Sequence, residues 1–175
     1  MSEGFSSGCW FAGKAVALAS VAALTLLDQI TKILAADRLA DGPFVIIPGV
    51  FELRYLENRG AAFGMLQNQR VFFLVLTVAF LAIITYIYLR IPADRKYLPL
   101  RILSIVVTAG AIGNFIDRLI LVYVRDFLYF SLIDFPIFNV ADIYVTVSAF
   151  AFFLLILVYY KDSDLEFLSD KKDTE

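Results

Sequence analysis

Four apolar runs, each long enough to cross a lipid bilayer, constrain this chain more than any other feature. They cover approximately residues 15–34, 71–89, 100–120 and 141–160. A transmembrane helix needs roughly 20 mostly apolar residues, and helices are one of only two structures that satisfy their backbone groups inside a membrane. The content of 61% hydrophobic residues is also far above that of soluble proteins. The sequence therefore predicts an α-helical integral membrane protein, with one domain over residues 1–175 and four transmembrane helices.

The charges between the runs predict how these helices are oriented. The connection between the second and third runs contains four basic residues and one acid, namely Arg90, Arg95, Lys96, Arg101 and Asp94. By the positive-inside rule, this connection is cytoplasmic. Both termini are then cytoplasmic as well, and residues 35–70 and 121–140 face outward. A cleaved signal peptide is the alternative for the first run, but that run is longer than the usual 7–15 apolar residues.

The outward segment at about 44–58 is expected to be β-structure. Pro43, Pro48 and Gly49 interrupt it, and residues 51–56 alternate apolar and polar side chains. A period of two is typical of a strand with one face in water. Backbone groups beside a membrane need partners. We therefore expect a small extracytoplasmic β-sheet between helices 1 and 2, which residues 121–140 are suited to extend.

The composition also excludes several kinds of site. The chain has no histidine and a single cysteine, Cys9, which excludes the usual zinc sites and the Ser-His and Cys-His nucleophile pairs. The net charge of −2, without a block of basic residues, gives no sign of a nucleic-acid partner. The segment 162–175 is rich in Asp, Ser and Lys and is expected to be a disordered acidic tail.

Two carboxylates, Asp126 and Asp142, bracket a short aromatic-rich segment between the third and fourth runs. Ionisable groups at the edge of a span are costly and are candidate functional residues. If the two meet, they share one proton, so that the ionised member can activate water while the protonated member polarises a carbonyl. That is the chemistry of peptide hydrolysis. The spacing allows this meeting without requiring it, and capping of the fourth helix beside Asn139 is the alternative role of Asp142.

Polar residues also interrupt the first and third runs. Asp28 and Lys32 are four residues apart, share a helix face, and are expected to form an ion pair. Asn114, Asp117 and Arg118 likewise share one face, where Arg118 is expected to neutralise a carboxylate and keep Asp117 inert. A small ion-coupled transporter that uses these charges as a relay, and a non-catalytic membrane scaffold, are the alternatives to an enzyme.

Five segments together resemble the lipoprotein signal peptidases, or signal peptidase II family. They are residues 27–32 (LDQITK), 58–64 (NRGAAFG), 113–118 (GNFIDR), 124–127 (VRDF) and 138–142 (FNVAD). They occur in the family's order and cover most of the chain from the first span to the fourth. The chain departs from the family pattern at Arg59, at Gly64, and at Arg125, where an apolar residue is more usual.

The resemblance implies an aspartic peptidase of the bacterial inner membrane, with four transmembrane helices, an outward β-cradle and an active site at the outer face. It would remove the signal peptide from prolipoproteins by cleaving before the diacylglyceryl-modified cysteine. No cofactor or metal is implied. The partners would be the prolipoprotein substrate and membrane lipid, and the protein is expected to be a monomer.

The resemblance also assigns roles by position in this sequence. The catalytic dyad would be Asp126 and Asp142. Residues that contact the substrate or hold the dyad would be Asn58, Gly60, Asn114, Arg118 and Asn139. Polar support would come from Asp28, Lys32 and Asp117. Arg125 is expected to lower the pKa of Asp126 or to contact lipid phosphate.

Overall fold

Four long helices form the body of the protein. A computed structural model describes residues 4–60 and 68–168, with side chains from residue 13 onward. The helices are α1 (Gly4–Arg38), α2 (Arg70–Arg90), α3 (Leu98–Ile120) and α4 (Val140–Leu154), which continues as a π-helical turn over Leu155–Tyr159. Each is long and apolar enough to cross a membrane. The four predicted spans are therefore confirmed, with ends shifted by several residues.

Helix α3 is the centre of the bundle, because α1, α2 and α4 all pack against it. Small residues make this close packing possible. A Cβ added to Gly110 would lie 2.6 Å from the carbonyl oxygen of Ala141, and one added to Gly113 would collide with the carboxylate of Asp28. These two glycines therefore set how closely α4 and α1 approach α3.

The β-structure is a three-stranded antiparallel sheet in the order β1-β2-β3. Its strands are β1 (Phe44–Ile47), β2 (Phe51–Asn58) and β3 (Val124–Tyr129). The turn between β1 and β2 contains Gly49 at φ +69°, a conformation that glycine adopts without strain. The predicted sheet is confirmed, and its third strand comes from the segment 121–140. Phe127 packs with Ala35 and Leu39, so the sheet rests on the end of α1.

The predicted disordered tail is folded over its first seven residues, Asp162–Leu168, which form a 3₁₀ helix. Tyr160 stacks on Tyr97 with ring centroids 5.7 Å apart, and Leu165 and Phe167 pack against the same cluster. Lys96 also pairs with Asp164 over 2.5 Å. The segment therefore packs on the protein through its apolar side chains, although its overall composition is acidic. Residues 169–175 lie outside the described part of the chain.

Candidate active site

The N-terminus of α4 places Asp142. Asn139 is the N-cap, and its Oδ1 accepts a hydrogen bond of 3.0 Å from the backbone N–H of Asp142. In return, the backbone N–H of Asn139 donates to Oδ2 of Asp142 over 3.1 Å. This reciprocal capping box confirms Asn139 as the N-cap. Capping uses only one carboxylate oxygen of Asp142, and the other, Oδ1, accepts from Nδ2 of Asn114 over 2.8 Å.

Strand β3 places Asp126, which is only 1% exposed and lies opposite Leu56 of β2. Its Oδ2 accepts a hydrogen bond of 2.8 Å from Nδ2 of Asn58, at the end of β2. Its Oδ1 accepts one of 2.6 Å from Nδ2 of Asn139. The side chain of Asn139 thus holds Asp126, while its backbone holds Asp142.

The structure therefore brings both aspartates to one residue, Asn139, and both line a single cavity of about 760 Å³. Burial and the negative charge of Asp142 together raise the pKa of Asp126 to about 7, against the opposing effect of the hydrogen bonds from Asn58 and Asn139. Near neutral pH this arrangement can hold one shared proton, as acid–base hydrolysis requires.

A buried charge cluster lies behind the cavity. Lys32 and Asp28 are both fully buried and form the predicted ion pair, with Nζ and Oδ2 2.9 Å apart. Nζ of Lys32 also donates to Oδ1 of Asn114 over 2.8 Å. Oδ1 of Asp28 accepts from the backbone N–H of Ala141 over 2.9 Å, in the first turn of α4. The ion pair on α1 therefore contacts α3 through Asn114 and α4 through Ala141.

Arg125 is paired with Asp117 and Gln29 rather than with the adjacent Asp126. Its guanidinium binds Asp117 through contacts of 2.6 and 3.1 Å, and its backbone N–H donates to the same carboxylate over 3.0 Å. It also donates to Oε1 of Gln29 over 2.9 Å. Successive side chains of a strand point to opposite faces, so Arg125 points away from Asp126. Gln29 is a contact that the sequence reasoning missed, and only its place one residue after Asp28 gave any signal.

Arg118 does not pair with Asp117, which corrects the prediction made from their adjacency. In the described part of the chain, its hydrogen bonds are long ones of 3.5 Å to the carbonyl oxygens of Asn114 and Gly60. Its guanidinium lies over the ring of Phe73, 4.7 Å from the centroid, and lines the cavity. Its donors therefore remain available to a bound ligand.

Arg70, which begins α2, was missed by the sequence reasoning. It donates to the carbonyl oxygens of Arg118 and Leu119 over 2.8 and 2.6 Å, at the C-terminal end of α3. A cation is favourable there, but no local pattern connects the two helices.

Asn58 lines the cavity, and the N–H of Gly60 donates to Oδ1 of Asn58 over 3.0 Å. Residues 61–64 of the same motif lie outside the described residues. Within the described ranges 4–60 and 68–168, no group of three or more metal-ligating side chains is placed to hold a metal ion.

Comparison with known proteins decides the family. The profile of the family described as Signal peptidase (SPase) II matches residues 20–158, most of the chain. The chain belongs to the signal peptidase II family. It is therefore a protease, and the transporter and scaffold alternatives are set aside.

Relatives and solved structures agree with this membership. A lipoprotein signal peptidase of Streptococcus thermophilus (strain CNRZ 1066) is 49% identical over 118 residues, 67% of this chain and 74% of the relative. One from Streptococcus pyogenes serotype M5 (strain Manfredo) is 42% identical over 148 residues, 83% and 93% of the two chains.

Two solved structures, both described as bacterial membrane enzymes, are 29% identical to this chain. The first has a TM-score of 0.70 and covers 92% of this chain and 94% of its own. The second has a TM-score of 0.72 and covers 83% of this chain and 95% of its own. The four-helix signal peptidase II protein is thus a bacterial membrane enzyme.

Proposed function

We propose that this peptidase removes the signal peptide of diacylglyceryl-modified prolipoproteins, cleaving before the lipidated cysteine, with Asp126 and Asp142 as its catalytic residues. The observation that carries the proposal is the pair of carboxylates held by one residue, Asn139, at the wall of one cavity. The names of the relatives supply the substrate class.

Each carboxylate of the pair accepts two N–H groups, Asp142 from Asn114 and the backbone of Asn139, and Asp126 from Asn58 and the side chain of Asn139, so these hydrogen bonds support either member as the ionised one. We assign the proton to Asp126, because burial and the charge of Asp142 raise the pKa of Asp126 to about 7. Ionised Asp142 takes a proton from the attacking water, while protonated Asp126 donates its proton to the carbonyl oxygen of the scissile bond. The resulting tetrahedral species collapses when Asp142 gives the proton that it took from water to the leaving nitrogen, and Asp126 takes a proton back from a hydroxyl of that species, which restores both carboxyl groups. No covalent intermediate is required.

The cavity wall suits a lipid-anchored substrate. Ile143, Thr146 and Val147 line the cavity from one face of α4 and continue it along the span. An apolar signal peptide and acyl chains fit this side. Anchoring in the bilayer would hold the scissile bond near the carboxylates and reduce the entropy lost on binding. By the positive-inside rule, the cavity opens at the outer face of the inner membrane and both termini are cytoplasmic.

The test is cleavage of a diacylglyceryl prolipoprotein by the purified enzyme. Asp126→Asn and Asp142→Asn should each lose nearly all turnover while the thermal midpoint stays close to that of the parent. Asp37→Asn is the matched control, because that carboxylate is 76% exposed on α1 and should leave turnover unchanged. A substrate whose cysteine is replaced by serine, and so carries no lipid, should resist the parent enzyme. Full turnover in either dyad variant would contradict the assignment.

A further inference from the structure

The cavity extends well beyond the two aspartates, along the sheet. Arg54, Leu56, Glu57 and Asn58 of β2 all line it, and the register of β2 against β3 shifts between Leu53 and Leu56. Asn58 contacts Asp126, so Arg54 marks a second region of the same wall. Four residues of strand separate Arg54 from Asn58, which corresponds to about 13 Å at roughly 3.3 Å per residue.

A bulge in β3 adds Tyr129 to this region. Three residues separate Tyr129 from Asp126, so in a regular strand the two side chains would point to opposite faces. The backbone N–H groups of Phe127 and Leu128 both donate to the carbonyl oxygen of Phe138, over 3.0 and 2.8 Å. Two residues of β3 thus face one residue of the partner segment, and such bulges re-aim side chains. Tyr129 lines the cavity about 10 Å along the strand from Asp126.

The charges of this region leave one carboxylate without a counter-ion. Arg54 is neutralised by Glu52 through a contact of 2.6 Å and lies over the ring of Tyr129, 4.8 Å from its centroid. The hydroxyl of Tyr129 donates to Oδ1 of Asp134 over 2.5 Å. Asp134 is exposed, lines the cavity, and has no basic side chain within ion-pair distance in the described part of the chain.

The backbone holds this carboxylate in place. Asp134 adopts a left-handed conformation at φ 48°, and its N–H points to the carbonyl oxygen of Ser131 at 3.4 Å. Asp and Asn tolerate this conformation better than most residues.

We propose that Arg54, Tyr129 and Asp134 form a subsite for the mature polypeptide of the substrate, which favours a basic side chain over an acidic one at about the third or fourth residue beyond the scissile bond. The inference rests on the proposed function. The apolar signal peptide occupies the α4 side, so the polar mature chain leaves along the sheet. An extended chain covers 10–13 Å in about three to four residues.

Three lipidated substrates that carry Lys, Ser or Asp at both the third and the fourth mature residue test the subsite. For the parent enzyme, kcat/KM should be about fivefold higher for the Lys substrate than for the Asp substrate, the scale of an exposed ion pair. In Asp134→Asn this ratio should fall to about one, with the Ser substrate cleaved within about twofold of the parent rate. Moving Lys or Asp to the tenth mature residue should abolish the discrimination in the parent enzyme.

Tyr129→Phe provides a second variant that leaves the charge of Asp134 intact. Losing the hydroxyl that orients the carboxylate should reduce the ratio of kcat/KM for the Lys substrate to kcat/KM for the Asp substrate. If Asp134→Asn does not fold, an unchanged ratio in Tyr129→Phe overturns the subsite. Equal kcat/KM for the three substrates in the parent enzyme, or an unchanged ratio in Asp134→Asn, would overturn the subsite and leave the proposed function standing. Failure of the parent enzyme to cleave any lipidated substrate would instead contradict the proposed function.

Discussion

Nζ of Lys32 donates a hydrogen bond of 2.8 Å to Oδ1 of Asn114, and this contact fixes which way the Asn114 amide faces. An ammonium group can only donate, so it must meet the oxygen of the amide. The nitrogen of the amide is then directed at Oδ1 of Asp142, 2.8 Å away. A buried lysine of α1 thereby orients the donor that holds a candidate catalytic carboxylate on α4.

Asn114→Asp is therefore expected to reduce turnover more than stability. Lys32 can still donate to the new carboxylate, but Asp142 loses a donor and gains a repulsive neighbour. A hydrogen bond to a charged group contributes about 1.5–3 kcal/mol, so kcat should fall at least about tenfold. Turnover and thermal midpoint measured on the same preparation test this. Asn68→Asp, at an exposed residue outside the cavity, is the control, and parental kcat in Asn114→Asp would contradict the argument.

The raised pKa of Asp126 predicts a pH dependence. Its carboxyl must be protonated to polarise the scissile carbonyl, so kcat/KM should fall as the pH rises through about 7. The hydrogen bond from Asn58 stabilises the ionised form and lowers this pKa. Asn58→Ala should therefore move the alkaline limb of the profile to higher pH. A limb that stays in place, or moves to lower pH, would contradict this electrostatic account.

Asp117→Asn should act mainly on stability. The buried Asp117 carboxylate compensates Arg125 at 2.6 Å and lies 3.7 Å from Nζ of Lys32. Removing one partner of a buried ion pair costs about 3–5 kcal/mol, because the remaining charge is left uncompensated. We expect a clearly lower midpoint of unfolding in detergent, with turnover per folded molecule largely retained. Asp37→Asn, at the surface, should change stability by at most about 0.5 kcal/mol. A stable but inactive Asp117→Asn would assign this residue a direct role in catalysis.

Two glycine substitutions distinguish the effect of close helix packing on stability from the effect of helix propensity. Gly110→Ala adds a methyl group 2.6 Å from the carbonyl oxygen of Ala141, so α3 and α4 must move apart. The cost should be about 1–3 kcal/mol, the range for overpacking. Gly13→Ala meets nothing within 4 Å and should be neutral or slightly stabilising, because alanine favours a helix. Equal midpoints for the two variants would show that the α3–α4 contact is not tight.

The architecture of this protein could be predicted from its sequence, because the patterns that determine it repeat along the chain. Apolar length predicted the four helices, and a period of two over residues 51–56 predicted a strand of the small sheet. Asn139 was recognised as a cap from its place before α4. These features depend on local geometry, which a sequence displays directly.

Ion pairs between different elements were not predicted, and adjacency in sequence was misleading. Arg125 was linked to Asp126 and Arg118 to Asp117, yet neighbours on a strand point to opposite faces and neighbours on a helix are about 100° apart. The partner of Asp117 is Arg125, eight residues away on another element. Only the fold brings such residues together.

The ion pair of Asp28 and Lys32 has a consequence for the order of events during synthesis. Each charge would cost about 2.5–3.5 kcal/mol at the centre of a lone helix. Asn114 and Asp117, which also contact the lysine, belong to α3 and leave the ribosome roughly 80 residues later. Because the two charges lie one turn apart on the same helix, they can neutralise each other as soon as α1 exists. Helix α1 can thus enter the bilayer before α3 is synthesised. When α3 follows, it adds Asn114 and Asp117 to the ion pair that α1 already contains.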